Sequence, residues 1–405
     1  MTNKYKFIDL FAGCGGLSDG FLQTGFYKDI ASVEWLKPQV NTIRSRLSSK
    51  WKDPSADKKV LHFDIQREGE LFKGWNDPLY GTSEGLDKLV QDAEGVDLII
   101  GGPPCQAYSI AGRVRDEKGM KDDYRNFLFE HYLSVVNRYR PKLFVFENVP
   151  GILSAAPDGE PITNKIRKGF ADIGYDIASD LSIAKVNASD FGVPQNRMRM
   201  IIVGLNKDYY PNAEQLLLDF YTEILPKNKV TKKITVREAI GDLPACLPKP
   251  KLERQQTKKS HYTPSTAISW HVPRFHNDRD MGTFHLLAED ICSGRREYDS
   301  KRISQLYEEK IGSKSPIHRY HVLEADLPST TIIAHLYKDG NRFIHYDPEQ
   351  MRSITVREAA RLQSFDDDFE FQGTQGNAYQ MIGNAVPPKL AKCIAIAIVS
   401  LLKNP

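Results

Sequence analysis

The sequence predicts a doubly wound α/β sheet into which a smaller, irregular module is inserted. Short, almost wholly apolar runs alternate with helix-like segments over residues 6–204. The first run leads into a glycine-rich turn, as in sheets of this class that bind ligands at their strand ends. The rhythm lapses after Leu205 and resumes near Tyr320. A chain of 405 residues is also too long for one ordinary core, which fits a large domain with a second one beside it.

Strands are predicted at 6–11, 30–35, 60–65, 96–100, 143–147 and 200–204, with helices at 17–24, 37–48, 125–139 and 163–173. Several of these strands carry hardly a polar residue, the pattern of strands covered on both faces. Strand–helix alternation then favours parallel pairing. The stretch after Leu205 is rich in Pro, Lys, His and Arg and weakly periodic. Domain bounds are therefore set at 1–205, 206–325 and 326–405, the last completing the first. Further helices are predicted at 355–363 and 389–402. The apolar run 393–402 falls far short of the ~20 residues of a membrane span and reads as a packed final helix. The hexapeptide Ile-Thr-Val-Arg-Glu-Ala occurs at 234–239 and again at 354–359. In each copy the Thr, with Glu three residues on, is predicted to cap a helix start.

Composition narrows the class. With 40% hydrophobic and 26% charged residues the chain is neither disordered nor membrane-embedded in type. The net charge of +3 hides an asymmetry: residues 226–279 hold twelve Lys/Arg against four Asp/Glu, an excess of +8. Such a stretch suits a nucleic-acid face or a solvated basic loop. Five scattered cysteines, Cys14, Cys105, Cys246, Cys292 and Cys393, show no CxxC or Cys/His zinc spacing. No metal is expected, and reduced thiols point to an intracellular protein. The polar residues 1–6 run straight into the first strand and carry no signal-peptide pattern.

The chemistry gathers at strand ends. Gly101-Gly102-Pro103-Pro104-Cys105-Gln106 follows an apolar strand, so Cys105 sits on a loop stiffened by two prolines. Ionised, it would be a nucleophile; buried, it would be structural. Glu147 ends the next predicted strand on the same edge, where partial burial suits proton donation. Arg197 and Arg199 alternate into the strand 200–204, which predicts that both guanidinium groups share a face. The turn Phe11-Ala12-Gly13-Cys14-Gly15-Gly16 lets backbone approach a ligand closely, but its spacing is not that of a dinucleotide loop. Glu34 is expected to end the second strand, beside Trp35, and Asp64 the third, beside Ile65. Acids so placed can bind ribose hydroxyls and an adenine amino group respectively.

These groups, in this order, resemble the cytosine-5 DNA methyltransferases of bacterial restriction–modification systems. The likeness rests on the glycine loop, Gly102-Pro103-Pro104-Cys105-Gln106, Glu147-Asn148-Val149, Gln195-x-Arg197-x-Arg199, Arg361-Leu362-Gln363-Ser364-Phe365 and Gly383-Asn384-Ala385-Val386-Pro387-Pro388. Two departures, Tyr108 for a common Phe and Asp366 for a frequent Pro, lie off the chemistry. The resemblance implies a Rossmann-like methyltransferase sheet that uses S-adenosylmethionine, leaves S-adenosylhomocysteine, and carries an inserted target-recognition domain. It implies Cys105 as the nucleophile on cytosine C6, Glu147 as the proton donor to N3, and Arg199 with Arg197 on the cytosine carbonyl or a phosphate. Cofactor contacts map onto Phe11, Ala12, Gly13, Gly15, Gly16, Glu34, Trp35, Asp64, Ile65, Pro104, Leu128, Asn384 and Ala385. DNA contacts are expected from Gln106, Ser109, Arg113 and Arg115 after the nucleophile, and from Arg274, Asn277 and Arg279 in the inserted module. The implied partner is duplex DNA, met by a monomer in a bacterial cytoplasm. A cognate endonuclease would belong to the same system without forming a stable complex, and no membrane is involved. An RNA cytosine-5 methyltransferase on the same motifs, or a silent DNA-binding regulator, are the alternatives.

Overall fold

The chain pairs into one sheet of eight strands, in the order Val60–His62, Tyr27–Glu34, Tyr5–Leu10, Leu98–Gly101, Leu143–Asn148, Met198–Asn206 and Tyr175–Ile177, with Lys185–Asn187 beside Met198–Asn206. The computed structural model describes residues 4–104, 128–156, 159–312, 320–338 and 340–403. Its contacts divide the chain into two units: Met1–Gly192 with Met198–Thr231 and Ala385–Pro405, and Val193–Arg197 with Lys232–Asn384.

In the first unit β1 (Tyr5–Leu10) pairs in parallel with β2 (Tyr27–Glu34) on one side and β6 (Leu98–Gly101) on the other. Strand β3 (Val60–His62) extends the sheet beyond β2, and β7 (Leu143–Asn148) runs parallel beside β6. Beyond β7 the sheet turns antiparallel through β10 (Met198–Asn206), which also pairs β8 (Tyr175–Ile177) and β9 (Lys185–Asn187). A small hairpin of β4 (Trp75–Asp77) and β5 (Gly81–Ser83) stands apart from it. The strand order reverses between β1 and β6, and a crevice at the carboxyl ends of such a pair is where open α/β sheets bind ligands.

Helices flank the sheet as the alternation requires. Helix α1 (Gly16–Leu22) follows the glycine turn, and α2 (Lys37–Ser49) follows β2. Helices α3 (Leu128–Tyr139) and α4 (Ile162–Asp172) bury aromatic rings against β7. Phe170 stacks on Phe144 with ring centroids 4.0 Å apart, and Tyr132 meets Phe146 edge-on at 5.2 Å. The final helix (Pro388–Lys403) packs against α1 so closely that a Cβ on Gly20 would lie 2.4 Å from that of Ala391. It is the packed final helix that the sequence predicted, and Tyr27 Oη donates to its Ala395 carbonyl at 2.6 Å.

The boundaries differ from those the composition suggested. Residues 206–231 stay with the sheet because Phe220 and Tyr221 are buried there, Tyr221 Oη donating to the Ile201 carbonyl at 2.7 Å. Residues 326–384 belong to the second unit, and only the chain from Ala385 onward returns to the first.

The second unit contains helices of five to fifteen residues, joined by loops that buried polar groups tie down. Helix α5 (Val236–Ile240) and helix α9 (Val356–Leu362) begin with the repeated hexapeptide, and both form the predicted capping box. Between them come α6 (Lys251–Thr257), α7 (Asp278–Cys292) and α8 (Ser300–Ile311). Phe284 and Leu287 of α7 pack with Leu306 and Tyr307 of α8 and with Tyr320, Val322 and Ile344. Helix α10 (Gln375–Asn384) closes the unit, and Tyr379 donates to the Ile354 carbonyl at 2.8 Å.

The two hexapeptides part company in burial. Glu238 is exposed and pairs with Lys232 at 2.7 Å. Glu358 is buried and receives both terminal nitrogens of buried Arg352, each at 2.7 Å, along with the Thr355 amide at 2.6 Å. Arg352 holds the Glu358 carboxyl far below its usual range against the cost of burial. Removing one partner of such a pair leaves a buried charge and costs about 3–5 kcal/mol. Glu358→Ala should therefore lower the urea midpoint by an amount matching that loss, whereas Glu238→Ala should leave it almost unmoved. Equal shifts would show that burial does not set the difference.

His345 lies 3.5 Å from Glu358, and burial, with Arg352 adding to it, pushes its pKa down to about 4. An unfolded histidine titrates near ~6.5, so below that pH the unfolded chain binds a proton that the folded chain refuses. The stability tied to this ring is complete above ~6.5 and lost as pH falls toward about 4. A His345→Gln variant lacks that titration. Its deficit relative to wild type should shrink by ~1.4 kcal/mol per pH unit across the same window, measured by urea unfolding at several pH values. A constant deficit would refute it.

Candidate active site

The sheet brings two loops together at the β1/β6 crevice. β6 pairs with β1 through Leu10 and Gly101, and with β7 through Gly101 and Phe146. The turn after β1, the chain after β6 and Glu147 near the end of β7 therefore share one edge.

On the β1 side, Phe11 has φ +57°, a left-handed backbone that bulky residues rarely hold. Such strain persists where the surroundings demand it and often marks a site. Gly13 (φ +57°) and Gly15 (φ +84°) complete the turn, and a Cβ on Gly13 would have no atom within 4 Å. That open backbone can meet a ligand directly. Buried Glu34 anchors the turn: one oxygen accepts from the Gly13 amide at 2.9 Å, the other from the Trp35 and Leu36 amides at 3.0 and 2.9 Å. Burial raises its pKa to about 7 despite those three donors. Beneath it Asp9 is buried with Oδ2 unpartnered, and burial pushes its pKa to about 8. Asp19 fixes α1 to α2 through Arg46 at 2.8 Å, and to the chain beyond α2 through the Trp51 indole at 3.0 Å. Neither Asp9 nor Asp19 was singled out from sequence, although an acid inside the glycine motif was visible there.

The remaining cofactor candidates in this unit fall around the same turn or on the neighbouring loops. Ala12 is buried, its amide bonded to the Val33 carbonyl at 3.1 Å, and Gly16 opens α1. Trp35 is 48% exposed, and Ile65 is buried. Asp64 does not end a strand: β3 stops at His62, and Asp64 Oδ1 accepts from the Gln66 amide at 3.0 Å in the loop beyond. Pro104 is exposed, Leu128 is buried at the start of α3, and Ala385 is buried where the chain re-enters the unit. Asn384 ends α10 and is exposed, but belongs to the second unit.

At the β6/β7 edge the spacing is tight. A Cβ on Gly102 would lie 2.6 Å from Glu147 Oε2, so only glycine lets the carboxylate stand over the start of the Pro103-Pro104 loop. Glu147 Oε1 pairs with Arg199 Nε at 2.7 Å, with side chains only 13% and 12% exposed. Arg199 also donates to its neighbour's carbonyl, that of Met198, at 2.7 Å. Burial lowers the Arg199 pKa, and the Glu147 charge opposes that. Cys105, Gln106, Ser109, Arg113 and Arg115 lie outside the described residues.

Four of the expected site residues have partners within the protein. Arg197 does not share a face with Arg199. It precedes β10, is buried, and donates to the carbonyls of Ile332 at 2.7 Å and Gly383 at 2.8 Å. Strand alternation begins only at Met198, so the period-2 argument does not reach it. Arg274 turns onto the Tyr379 ring, 4.4 Å from its centroid, and donates to the Leu336 carbonyl at 2.8 Å. Asn277 caps α7 through the Asp280 amide at 2.9 Å. Arg279 pairs with Asp280 at 2.9 Å.

A mixed sheet whose switch point carries a glycine loop, with an Arg-held carboxylate beside the Gly102-Pro103-Pro104 stretch, is an arrangement suited to a methyl-transfer site. The profile of the C-5 cytosine-specific DNA methylases matches residues 5–400, and the chain belongs to that family. It is similar to type II methyltransferase M.Bpa9945I of Bacillus paralicheniformis, at 34% identity over 98% of this chain and 99% of that one. It is similar also to type II methyltransferase M.XorII of Xanthomonas oryzae pv. oryzae, at 32% identity over 98% of this chain and 85% of that one. Among solved structures, an E. coli prophage protein described as a DNA modification methyltransferase aligns with TM-score 0.60 and 26% identity, over 99% of this chain and 100% of that one. The protein is an enzyme of the DNA cytosine-5 methyltransferase class.

Gly102→Ala should displace the Glu147 carboxylate, and a misplacement of about 1 Å costs about 100-fold in rate. Methyl transfer to duplex DNA should fall by that order while the thermal midpoint holds. Wild-type activity in the variant would show that the close approach is dispensable.

Proposed function

We propose that the chain methylates C5 of a flipped-out cytosine in a specific duplex sequence, protecting DNA within a type II restriction–modification system. The observation that carries this reading is Glu147, pinned by Arg199 against the Gly102 backbone at the root of the cysteine loop.

Cys105 as thiolate adds to C6, forming the C–S bond. The displaced ring electrons reach N3, which is protonated from the Glu147 carboxyl. Arg199, held on Glu147, has guanidinium donors left for the cytosine carbonyl oxygen. The C5=C6 double bond is thereby lost and a C4=C5 enamine forms whose C5 is nucleophilic, splitting one hard step into easier ones. S-adenosylmethionine, when bound, supplies an electrophilic methyl group and leaves as S-adenosylhomocysteine. Once C5 is methylated it gives its proton to a base, the C–S bond breaks, and Cys105 departs as thiolate. N3 returns its proton to Glu147.

The residues of the β1 edge fit that donor. Gly13 offers open backbone, Glu34 Oε2 keeps a second lone pair for a ribose hydroxyl, and half-exposed Trp35 and the Asp64 loop follow in chain order. Flipping the base out of the duplex costs a few kcal/mol, which contacts from the second unit as target-recognition module would offset. The enzyme acts as a monomer in the bacterial cytoplasm, on the same sites as a cognate endonuclease but not bound to it. The DNA family profile favours this over an RNA substrate.

Cys105→Ser should abolish methyl transfer. It should also abolish the gel-stable adduct with duplex carrying 5-fluorocytosine, whose C5 fluorine cannot leave as the proton does. Glu147→Gln should lower turnover while the duplex still binds. Unchanged methyl transfer in Cys105→Ser would sink the mechanism.

A further inference from the structure

The sequence's DNA-reading candidates in the second unit each have partners within it. Arg274 lies on Tyr379, Asn277 caps α7, and exposed Arg279 pairs with its neighbour Asp280. The free polar groups lie opposite them, on α6. This helix has seven residues and buries none of them, and its Leu252 is 68% exposed. A helix so short and without a buried face gains nothing from core packing. Polar ties hold it instead: Glu253 accepts from Lys249 at 2.5 Å and from Tyr262 Oη at 2.7 Å, while Arg254 pairs with Asp278 at 2.6 Å. They use up the helix's one acid and its arginine. Lys251 and Gln255 are left with no hydrogen-bond or ion-pair partner among the described residues.

Lys251 and Gln255 border an open cleft of about 470 Å³. The facing wall is the stretch from Phe275 to Arg279, with Phe275 itself 58% exposed. Lys258 and Lys259 follow at the helix end, so the surroundings are basic once Glu253 is neutralised. Unpaired donors, an exposed ring and surplus positive charge complement a polyanion with readable edges. An α-helix is the element that the major groove admits, and a glutamine amide matches the N6/N7 edge of adenine. A lysine at the cleft mouth suits a phosphate.

We propose that this cleft is a base-reading site for the substrate duplex, with Gln255 reading a base edge, Lys251 neutralising a phosphate and Phe275 forming an apolar wall. This rests on the reading of the chain as a DNA methyltransferase and names residues that set its sequence preference.

The test uses the full-length protein and a duplex whose site has been mapped by bisulfite sequencing of DNA from expressing cells. Affinity is followed by fluorescence anisotropy over a range of salt, against the mapped site and every single-base-pair variant of it. Gln255→Ala should weaken binding to the mapped site about 5- to 150-fold and relax discrimination at one base pair. Lys251→Ala should weaken binding to all the duplexes alike and reduce the salt slope by about 1. Both variants should melt like wild type. If Gln255→Ala weakens all duplexes equally, or if both variants match an active wild type in affinity, salt slope and discrimination, the inference fails and the enzymatic reading stands. If the wild type neither binds nor methylates any duplex, both fall together.

Discussion

The site depends on one pairing. Strand β6 is hydrogen-bonded in parallel to β1 on one flank and to β7 on the other, in registers that bring Leu10, Gly101 and Phe146 level. Parallel neighbours end on the same edge, so the turn after β1, the loop after β6 and the carboxylate near the end of β7 emerge together. No loop has to search for another. Gly101 and Gly102 make this possible at close range, since a Cβ on Gly101 would lie 2.4 Å from the Leu10 carbonyl oxygen. Slip that register by one residue and Glu147 would point to the other face of the sheet.

The second unit solves a different problem with different means. Among the described residues it has no strand ladder of its own, and much of its interior is polar. Arg352 with Glu358, and Arg357 with the carbonyls of Ser269, Asp366 and Phe369, bind loops that have no ladder of their own. Gln195 and Arg197 join that network from the strand-entry segment: Gln195 Oε1 accepts from the Ile332 amide at 2.9 Å, beside Arg197 on the Ile332 carbonyl. The residues of the Gln-x-Arg-x-Arg motif therefore divide their labour. The first two build the second unit, and Arg199 alone meets Glu147.

The legible parts of the sequence were those governed by local physics. Apolar runs located the central strands, and Thr with Glu three residues on located two helix starts that form as expected. Glycine loop and carboxylate were readable because their chemistry is written in the residue types. What escaped depended on partners far along the chain. Nothing around Arg274 announces Tyr379, over a hundred residues on, which lies beneath it. The weak periodicity of 206–231 gave no sign that Tyr221 bridges to β10. Lys251 and Gln255 had no periodicity to mark them, because a helix that buries nothing leaves none.

Glu34 carries one further consequence. Its carboxylate shapes the glycine turn by holding the Gly13 amide, and the same oxygen is the proposed partner of the donor's ribose. Architecture and ligand selection therefore converge on a single atom. An engineer wishing to accept a bulkier methyl-donor analogue could not alter recognition at Glu34 without also releasing the turn. The independent handle is Trp35, whose side chain stands half in solvent while only its main chain bonds to Glu34 and His62. Redesign of donor preference should begin there.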